Sequence, residues 1–317
     1  MTVSKVGIIA NPASGKDIRR LVAFASTIDN MEKVNLVRRL VLGMASVGVN
    51  KVLIMPDIFD IGYRVIDSLK GVDCYETMHP MDLEVSLLDM PVTGMDIDST
   101  NAARMMNEAK VGCIVVVGGD GTNRAIAKGC GDTPILPVST GTNNVIPYMI
   151  ESTVAGLAAG MVAEKAVNME KNTVRAKKLH VVKNREPTDI ALVDAAVTDE
   201  LFVGTKAVWD ISKVRQVIAV RCEPGNIGMS SIAGMFLPIR PEDNYGISLR
   251  MGKRGLKVRA IIAPGLIREI EVEEYRKLSI GERVEVEFKP AILALDGERE
   301  MQIYKEDKVE IQMERDG

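Results

Sequence analysis

The sequence predicts an α/β N-terminal domain with a parallel, three-layer sheet over residues 1–166 and a mainly antiparallel β domain over residues 167–317. In the first part, strand and helix patterns alternate, and the strand-like runs are apolar throughout, as in sheets that are covered on both faces. After about Val167, helical periodicity fades and strand-like runs follow one another. The last segment could still return to the first domain.

The predicted strands of the first domain are short β-branched runs separated by helical patterns. The strands are KVGIIA, KVLIMP, EVSLLDM, GCIVVVGG and TPILPVS, and the helical patterns are IRRLVAFAS, MEKVNLVRRLVLGMASVG, FDIGYRVIDSLKG and DIDSTNAARMMNEAK. Such alternation predicts parallel pairing of the strands. Because ligands of parallel sheets bind at the carboxyl ends of the strands, a site is expected in the turns that follow them.

The segment from Val145 to Ala163 is long and mostly apolar, and it raises the question of a membrane span. Pro147 and Glu151 interrupt it, and its many alanines and glycines make it weakly hydrophobic. Gly156 and Gly160 have the spacing that lets two helices approach closely. We therefore expect a helix packed against its neighbours, and no membrane span.

The second domain is predicted from the runs KKLHVVKN, DIALVDAAV, VRQVIAVRCE, YGISLRM, LKVRAIIA and RVEVEFKP. The last run alternates cleanly, with Val284, Val286 and Phe288 on one face and charged residues between them. That pattern is typical of a half-buried antiparallel sheet. With two domains, the cleft between them is the default place for a ligand.

Composition excludes several classes of function. A formal net charge of -3 and a pI near 5.7 argue against nucleic acid as a partner, because there is no basic excess to neutralise phosphates. The four cysteines are scattered and form no CxxC pair, which indicates a reducing compartment, the cytoplasm. With only two histidines, His79 and His180, acid–base chemistry is left to carboxylates.

The stretch IVVVGGDGTNRAIAKG, from Ile114 to Gly129, carries the strongest chemical signal. Its glycines permit close backbone approaches, and the N–H groups that they free can line a polyphosphate. Asp120 is a poor neighbour for an anion, so it suggests a cation or a proton acceptor for an attacking hydroxyl. The alternative is a plain Gly-Asp-Gly turn between a strand and a helix.

Two further stretches repeat the theme. PILPVSTGTNNVIP supplies Ser139 and Thr140 in a second hydroxyl-and-glycine turn, followed by two asparagines that could bind a ligand or cap the next helix. AILALDGERE places an Asp-Gly pair after an apolar strand. Asp-Gly is also a strong hairpin signal, so the structural and functional interpretations are equally open there.

The stretch NPASGKD follows the first strand and ends in Gly-Lys, as a Walker A loop would. The spacing fails, however, because Ala10 stands where the first glycine should be and Asp17 stands where the magnesium-binding hydroxyl should be. A small-residue turn before a helix still attracts anions. An ordinary strand-to-helix turn is the alternative.

In order and spacing, NPASGK, GGDGTNRAIAKG, PVSTGTNNVIP and LDGE resemble the superfamily of NAD kinases and diacylglycerol/sphingosine-type lipid kinases. Within it, the chain is most similar to the ATP-NAD kinase-like proteins found with acetoin catabolism, the protein X group. The resemblance implies the NAD kinase-like fold, an ATP site and a divalent cation such as Mg²⁺.

By position, the resemblance also implies roles for individual residues. Asp120 would be the catalytic carboxylate. The nucleotide-binding set would comprise Asn11, Ser14, Gly15, Lys16, Gly118, Gly119, Gly121, Thr122, Thr140, Gly141, Thr142, Asn143 and Asn144. Asp194, Asp296 and Glu298 are candidates for contact with the acceptor or a metal ion.

Departures from the family pattern leave the substrate open. NAD kinases carry an Asn-Glu pair that grips the dinucleotide, whereas ALVDAAV offers Val193 and Asp194. The Gly-Ser-Thr-rich segment of the family is matched only loosely, by GMSSIAG. Three hypotheses follow: a kinase for a soluble nucleotide-like acceptor such as NAD, which would yield NADP; a lipid kinase; and a non-catalytic nucleotide-binding protein.

The motifs GTNN and DGE favour the lipid-kinase branch, but the acidic pI and the lack of a basic membrane face do not. A Rossmann dehydrogenase is disfavoured because no GxGxxG opens the first βα turn. The expected partners are thus a nucleotide and a small-molecule acceptor. We also expect the chain to form a homo-oligomer.

Overall fold

The computed structural model describes residues 4–15, 24–25, 28–70, 83–141, 143–199 and 210–316. The chain divides into two compact units. The first takes in Met1–Lys16, Thr27–Gly141 and Pro147–Thr173, and the second takes in Asp17–Ser26, Thr142–Ile146 and Val174–Gly317. The predicted domain boundary at residues 166 and 167 stays a prediction.

The first unit contains the parallel sheet that the sequence predicts. Its strands are β1 (Lys5–Ala10), β2 (Lys51–Ile54), β3 (Glu84–Leu87), β4 (Cys113–Gly118) and β5 (Ile135–Ser139). They pair in parallel in the order β3-β2-β1-β4-β5. The carboxyl ends of β1, β4 and β5 therefore lie side by side.

Helices cover both faces of this sheet, which confirms the three-layer prediction. They are α1 (Asn30–Ala45), α2 (Ile61–Lys70), α3 (Asp96–Glu108), α4 (Asp120–Ala127) and α5 (Ser152–Ala163). The short α6 (Met169–Asn172) follows them and has no buried residue. Successive residues of β1 enter opposite cores: Ile8 packs with α1, α2 and α5, and Ile9 packs with α3 and α4. The predicted helix IRRLVAFAS lies largely outside the described residues.

Helix α5 packs against α1 through glycines. An added Cβ at Gly156 would collide with the carbonyl oxygen of Leu40, and one at Gly43 would collide with that of Thr153. This confirms the close packing expected for the segment, although the helix begins only at Ser152. Along the described ranges, no helix has the length and hydropathy that would suffice to cross a membrane.

The second unit is built on antiparallel sheets, as predicted. Its strands are β6 (Lys178–Lys183), β7 (Glu186–Ala191), β8 (Asp194–Thr198), β9 (Val214–Ala219), β10 (Tyr245–Ala263), β11 (Leu266–Ser279), β12 (Arg283–Glu285), β13 (Ala291–Leu295), β14 (Glu298–Ile303) and β15 (Val309–Glu314). One sheet has the order β11-β10-β9-β8-β13-β14, and the other has the order β12-β15-β6-β7. Helix α7 (Met229–Phe236), which the sequence analysis did not predict, packs against β10 and β9.

Two strand predictions were wrong in their extent. DIALVDAAV is not one strand, because the chain turns at Leu192 and Val193 between β7 and β8. YGISLRM and LKVRAIIA are parts of the single strand β10. The glycines between them are typical of a loop. In the structure they lie within the strand, at an irregularity of the β10–β11 ladder between Met251 and Leu256.

The alternating run RVEVEFKP is confirmed as a half-buried segment. Val284 and Val286 are buried, and Glu285 and Glu287 are exposed. Regular pairing ends at Glu285, but the alternation continues beyond it.

Candidate functional site

Three turns follow the adjacent strands β1, β4 and β5 in the first unit. We call them the first turn (residues 11–15), the second turn (residues 118–122) and the third turn (residues 139–141). Since the three strands are parallel neighbours, their turns lie at the same edge of the sheet. Side-chain hydrogen bonds then join them.

Asn11 connects the first turn to the second. Its Nδ2 donates to Oγ1 of Thr122 at 2.8 Å, and its backbone N–H donates to the carbonyl of Val117 at 3.1 Å. Its Oδ1 accepts from the N–H of Ala13 at 2.8 Å. The predicted nucleotide-binding asparagine therefore holds the first turn to the second and also fixes the conformation of its own turn.

Ser14 connects the first turn to the third. Oγ1 of Thr140 donates to Oγ of Ser14 at 3.0 Å, and that hydroxyl donates to the carbonyl of Asn11 at 2.8 Å. Gly15 has a φ of +73°, and an added Cβ there would lie 2.8 Å from the carbonyl oxygen of Thr140. Only glycine fits this position without strain, because both the backbone conformation and the close approach exclude a side chain.

The second turn leads directly into α4, with Gly119 as its N-cap. Gly118 packs so closely on Thr122 that an added Cβ would lie 2.7 Å from its Cβ. Within the described ranges, no acceptor is found for the backbone N–H groups of Gly121 and Thr122. Unsatisfied N–H groups in the first turn of a helix are suited to bind an anion.

Asp120 is the first residue of α4, and only 8% of it is exposed. It thus stands within the second turn, at the N-terminus of α4, two residues before the Thr122 hydroxyl that accepts from Asn11 of the first turn. The structure brings together the predicted residues Asn11, Ser14, Gly15, Gly118, Gly119, Asp120, Gly121, Thr122, Thr140 and Gly141.

The predicted set has four other members, Lys16, Thr142, Asn143 and Asn144. Lys16 and Thr142 lie outside the described residues. Asn143 and Asn144 are half-buried, and Oδ1 of Asn143 is a buried atom without a hydrogen-bond donor in the described part of the chain. The prediction that these asparagines cap the next helix is wrong, because Glu151 caps α5 by accepting from the N–H groups of Thr153 and Val154.

Sequence reasoning missed Lys33, which lies beneath the first turn. Its side chain is fully buried, and its Nζ donates to the carbonyl oxygens of Asn11, Pro12 and Ser14 at 2.9, 3.1 and 2.7 Å. A lysine in an amphipathic helix normally indicates a solvated face, so no signal in the sequence distinguished it.

Asp296 lies in the second unit, in the turn of the β13–β14 hairpin, where Asp296 and Gly297 both have positive φ. The hairpin interpretation of Asp-Gly is confirmed. Oδ1 of Asp296 accepts from the N–H groups of Leu192, Val193 and Asp194 at 3.0, 2.8 and 3.3 Å. The carboxylate thus fixes the turn between β7 and β8.

The other two residues predicted near an acceptor or a metal ion each lie at the start of a strand. Asp194 is buried at the start of β8, and Glu298 is half-buried at the start of β14. Over the residues that the structure describes, no group of three or more His, Cys, Asp and Glu side chains could hold a metal ion. The roles of Asp194, Asp296 and Glu298 toward an acceptor stay predictions.

One more carboxylate lies past a strand end of the first sheet. Asp57 follows β2, and its two oxygens accept from the N–H groups of Phe59 and Ile61 at 2.8 and 2.9 Å. Burial raises its pKa above the ordinary value, although these hydrogen bonds act in the opposite sense. Its contacts fix the start of α2, so Asp57 has a structural role.

Two family models match the chain. The ATP-NAD kinase N-terminal domain matches residues 6–166, and the acetoin catabolism protein X C-terminal domain matches residues 177–316. A curated relative, acetoin catabolism protein X from Cupriavidus necator, is 38% identical over 313 residues, which cover 96% of this chain and 86% of that protein.

Two kinases are among the solved structures that match this chain. One is a proposed diacylglycerol kinase from Bacillus anthracis str. Sterne, with a TM-score of 0.47, 13% identity, and coverage of 100% of this chain and 96% of the other. The second is an NAD kinase from Archaeoglobus fulgidus in complex with ATP, with a TM-score of 0.37, 16% identity, and coverage of 84% and 93%.

Proposed function

The chain belongs to the acetoin catabolism protein X family and has an ATP-NAD kinase N-terminal domain, and we propose from this premise that it is an ATP-dependent phosphotransferase. The proposed acceptor is a hydroxyl group of a soluble, nucleotide-like molecule such as NAD. By analogy with the relative's name, we further propose that the protein serves acetoin catabolism.

The observation that carries the proposal is the joined set of three turns. Glycine-rich turns at neighbouring strand ends are tied by the hydrogen bonds Asn11–Thr122 and Thr140–Ser14, so their backbone donors are fixed relative to one another. Phosphoryl transfer needs little covalent participation by the protein and depends mainly on positioning and on stabilisation of charge. Preorganised N–H donors supply both.

Asp120 is proposed as the general base. In the reaction, the oxygen of the acceptor hydroxyl attacks the γ-phosphorus of ATP, and the bond from that phosphorus to the β–γ bridging oxygen breaks. The hydroxyl proton passes to the carboxylate of Asp120, and ADP leaves. A positioned base of this kind typically contributes about 10²–10⁴-fold to the rate.

Among the described residues, a magnesium ion could be held only together with the phosphates of a bound nucleotide. These residues offer no cluster of three or more ligands, but Mg²⁺ in kinases is commonly held by one or two carboxylates together with the substrate phosphates. Asp120 beside the glycine turns would supply one such carboxylate. When bound, the ion would neutralise part of the phosphate charge.

A second candidate, a nucleotide-binding protein without catalysis, is favoured by one specific observation. Val193 stands where NAD kinases carry the asparagine of their dinucleotide-gripping pair. Its side chain is buried, and its N–H donates to Asp296. A buried valine side chain offers no hydrogen bond to the dinucleotide, so the contact that the asparagine would make is lost at this position.

The test is transfer of labelled phosphate from ATP to NAD, NADH, adenosine derivatives and diacylglycerol, assayed side by side with the parent and with Asp120→Asn. We expect transfer to a soluble acceptor, reduced about 10²–10⁴-fold by the substitution while ATP still binds. Asp67→Asn, at an exposed position on α2, is the matched control and should leave turnover unchanged.

The outcomes separate the hypotheses. Equal turnover by parent and Asp120→Asn would remove Asp120 from the mechanism. Transfer to diacylglycerol alone would establish the lipid kinase instead. Tight binding of ATP to the parent without transfer to any acceptor would favour the non-catalytic protein.

A further inference from the structure

Lys33 lies at an unusual position for a lysine. It is in the first turn of α1 and fully buried, and its Nζ reaches Oδ1 of Asn30 at 3.1 Å in addition to the three carbonyl oxygens of the first turn. Lysine is almost never fully buried, and removal of an ammonium group from water is costly. A cation near a helix N-terminus is also opposed by the helix dipole.

The hydrogen bonds of Lys33 explain how the structure accommodates a buried lysine here. Its donors hold the carbonyl oxygens of Asn11, the first residue of the first turn, and of Ser14, its last residue but one, toward the protein interior. The peptide bond between Ser14 and Gly15 is trans, so its N–H points away from its carbonyl and hence away from Lys33. Among the described residues, no acceptor is found for that N–H of Gly15.

The result is a turn with its carbonyls bound to a positive charge on one side and a backbone donor free on the other. Without the ammonium group, the carbonyls of Pro12 and Ser14 would be free to rotate toward the ligand, whereas that of Asn11 would still accept from the Ser14 hydroxyl. Carbonyl oxygens repel an anion. A charge behind the turn also favours an anion in front of it.

We propose that Lys33 is a positioning residue for a phosphate group of the nucleotide, acting through the carbonyls of the first turn without touching the ligand. The proposal rests on the proposed function in that it takes the ligand of the three turns to be a nucleoside polyphosphate. It adds a buried cation to the machinery, on a different helix from Asp120.

The experiment compares the affinities of the parent and Lys33→Met for ATP and for adenosine by calorimetry. Methionine matches the length and volume of the lysine stem but donates no hydrogen bond and carries no charge. We expect binding of ATP to weaken roughly tenfold to a hundredfold, the range for loss of a hydrogen bond to a charged group, here the bond from the Gly15 N–H to a phosphate. Binding of adenosine should be nearly unchanged.

Two further variants separate positioning from mere destabilisation. Val37→Ala truncates a fully buried side chain one helical turn along α1 and should lower the unfolding temperature without changing the preference for ATP over adenosine. Lys33→Arg keeps the charge and should retain more ATP affinity than Lys33→Met. If Lys33→Met does not fold, Lys33→Arg decides alone, with reduced ATP preference expected from its altered donor geometry.

The possible results are distinguishable from the test of the proposed function. If ATP binds the parent and each folded Lys33 variant with equal affinity, the role of Lys33 is refuted even where phosphate transfer is observed. If Lys33→Met loses ATP preference but the parent transfers no phosphate, the positioning role stands and the kinase reaction fails. A parent that binds no ATP refutes both proposals.

Discussion

The carboxylate of Asp296 gives the sharpest structural prediction. It accepts hydrogen bonds from three consecutive backbone N–H groups, and it is itself buried. Replacement by alanine would leave all three donors unsatisfied in the interior of the second unit. A hydrogen bond to a charged group contributes about 1.5–3 kcal/mol, but three bonds to one carboxylate are not additive.

We therefore expect Asp296→Ala to lower the free energy of unfolding by at least about 3 kcal/mol, as one strong bond is lost in full and the others in part. Asparagine is the matched variant, because it tolerates the φ of +50° at this position and can offer one neutral oxygen to the same donors. Asp296→Asn should therefore cost roughly half as much.

Urea denaturation monitored by circular dichroism measures both variants against the parent. Unchanged midpoints for Asp296→Ala, with loss of nucleotide binding or transfer, would refute the structural role and assign the LDGE motif to the ligand. A large loss of stability in both variants, with asparagine less affected, would support the structural role.

Two more predictions concern packing and pH. Gly156→Ala should lower the unfolding temperature measured by circular dichroism, because overpacking against the Leu40 carbonyl typically costs about 1–3 kcal/mol. Gly225→Ala, in open space, is the control and should leave the unfolding temperature unchanged. Equal unfolding temperatures of the two variants would contradict the packing account. Burial lowers the pKa of Lys177 to about 8 from 10.5. Between about pH 8 and pH 10.5 the unfolded state therefore binds more protons than the folded state. In urea titrations, the free energy of unfolding of the parent minus that of Lys177→Met should rise with pH over this range. A difference that stays constant or falls would contradict the lowered pKa.

The parallel sheet could be predicted from sequence because the apolar pattern that specifies each strand lies within the strand itself. A strand such as CIVVVG is apolar on both faces and can be stable only between two layers of helices. The turns of the candidate site could be predicted for the same reason, since glycine and hydroxyl residues follow directly after three such strands.

What could not be predicted depends on distant residues. Lys33 acts on a turn about twenty residues earlier. Its partners there are backbone carbonyls, which every residue has, so no residue type marks them in the sequence. Likewise, the partners of Asp296 lie more than 100 residues away. The extent of β10 was wrong because glycines that usually mark a loop can also be accommodated as a bulge when the partner strand continues.

The central claim is that the three turns after β1, β4 and β5 together hold the phosphates of ATP. Backbone hydrogen exchange with and without ATP measures this most directly, with adenosine as the ligand that lacks phosphates. We predict that ATP, and not adenosine, slows exchange at residues 11–15, 118–122 and 139–141. Bound ATP that leaves exchange in these turns unchanged, or slows it only elsewhere in the chain, would contradict the account.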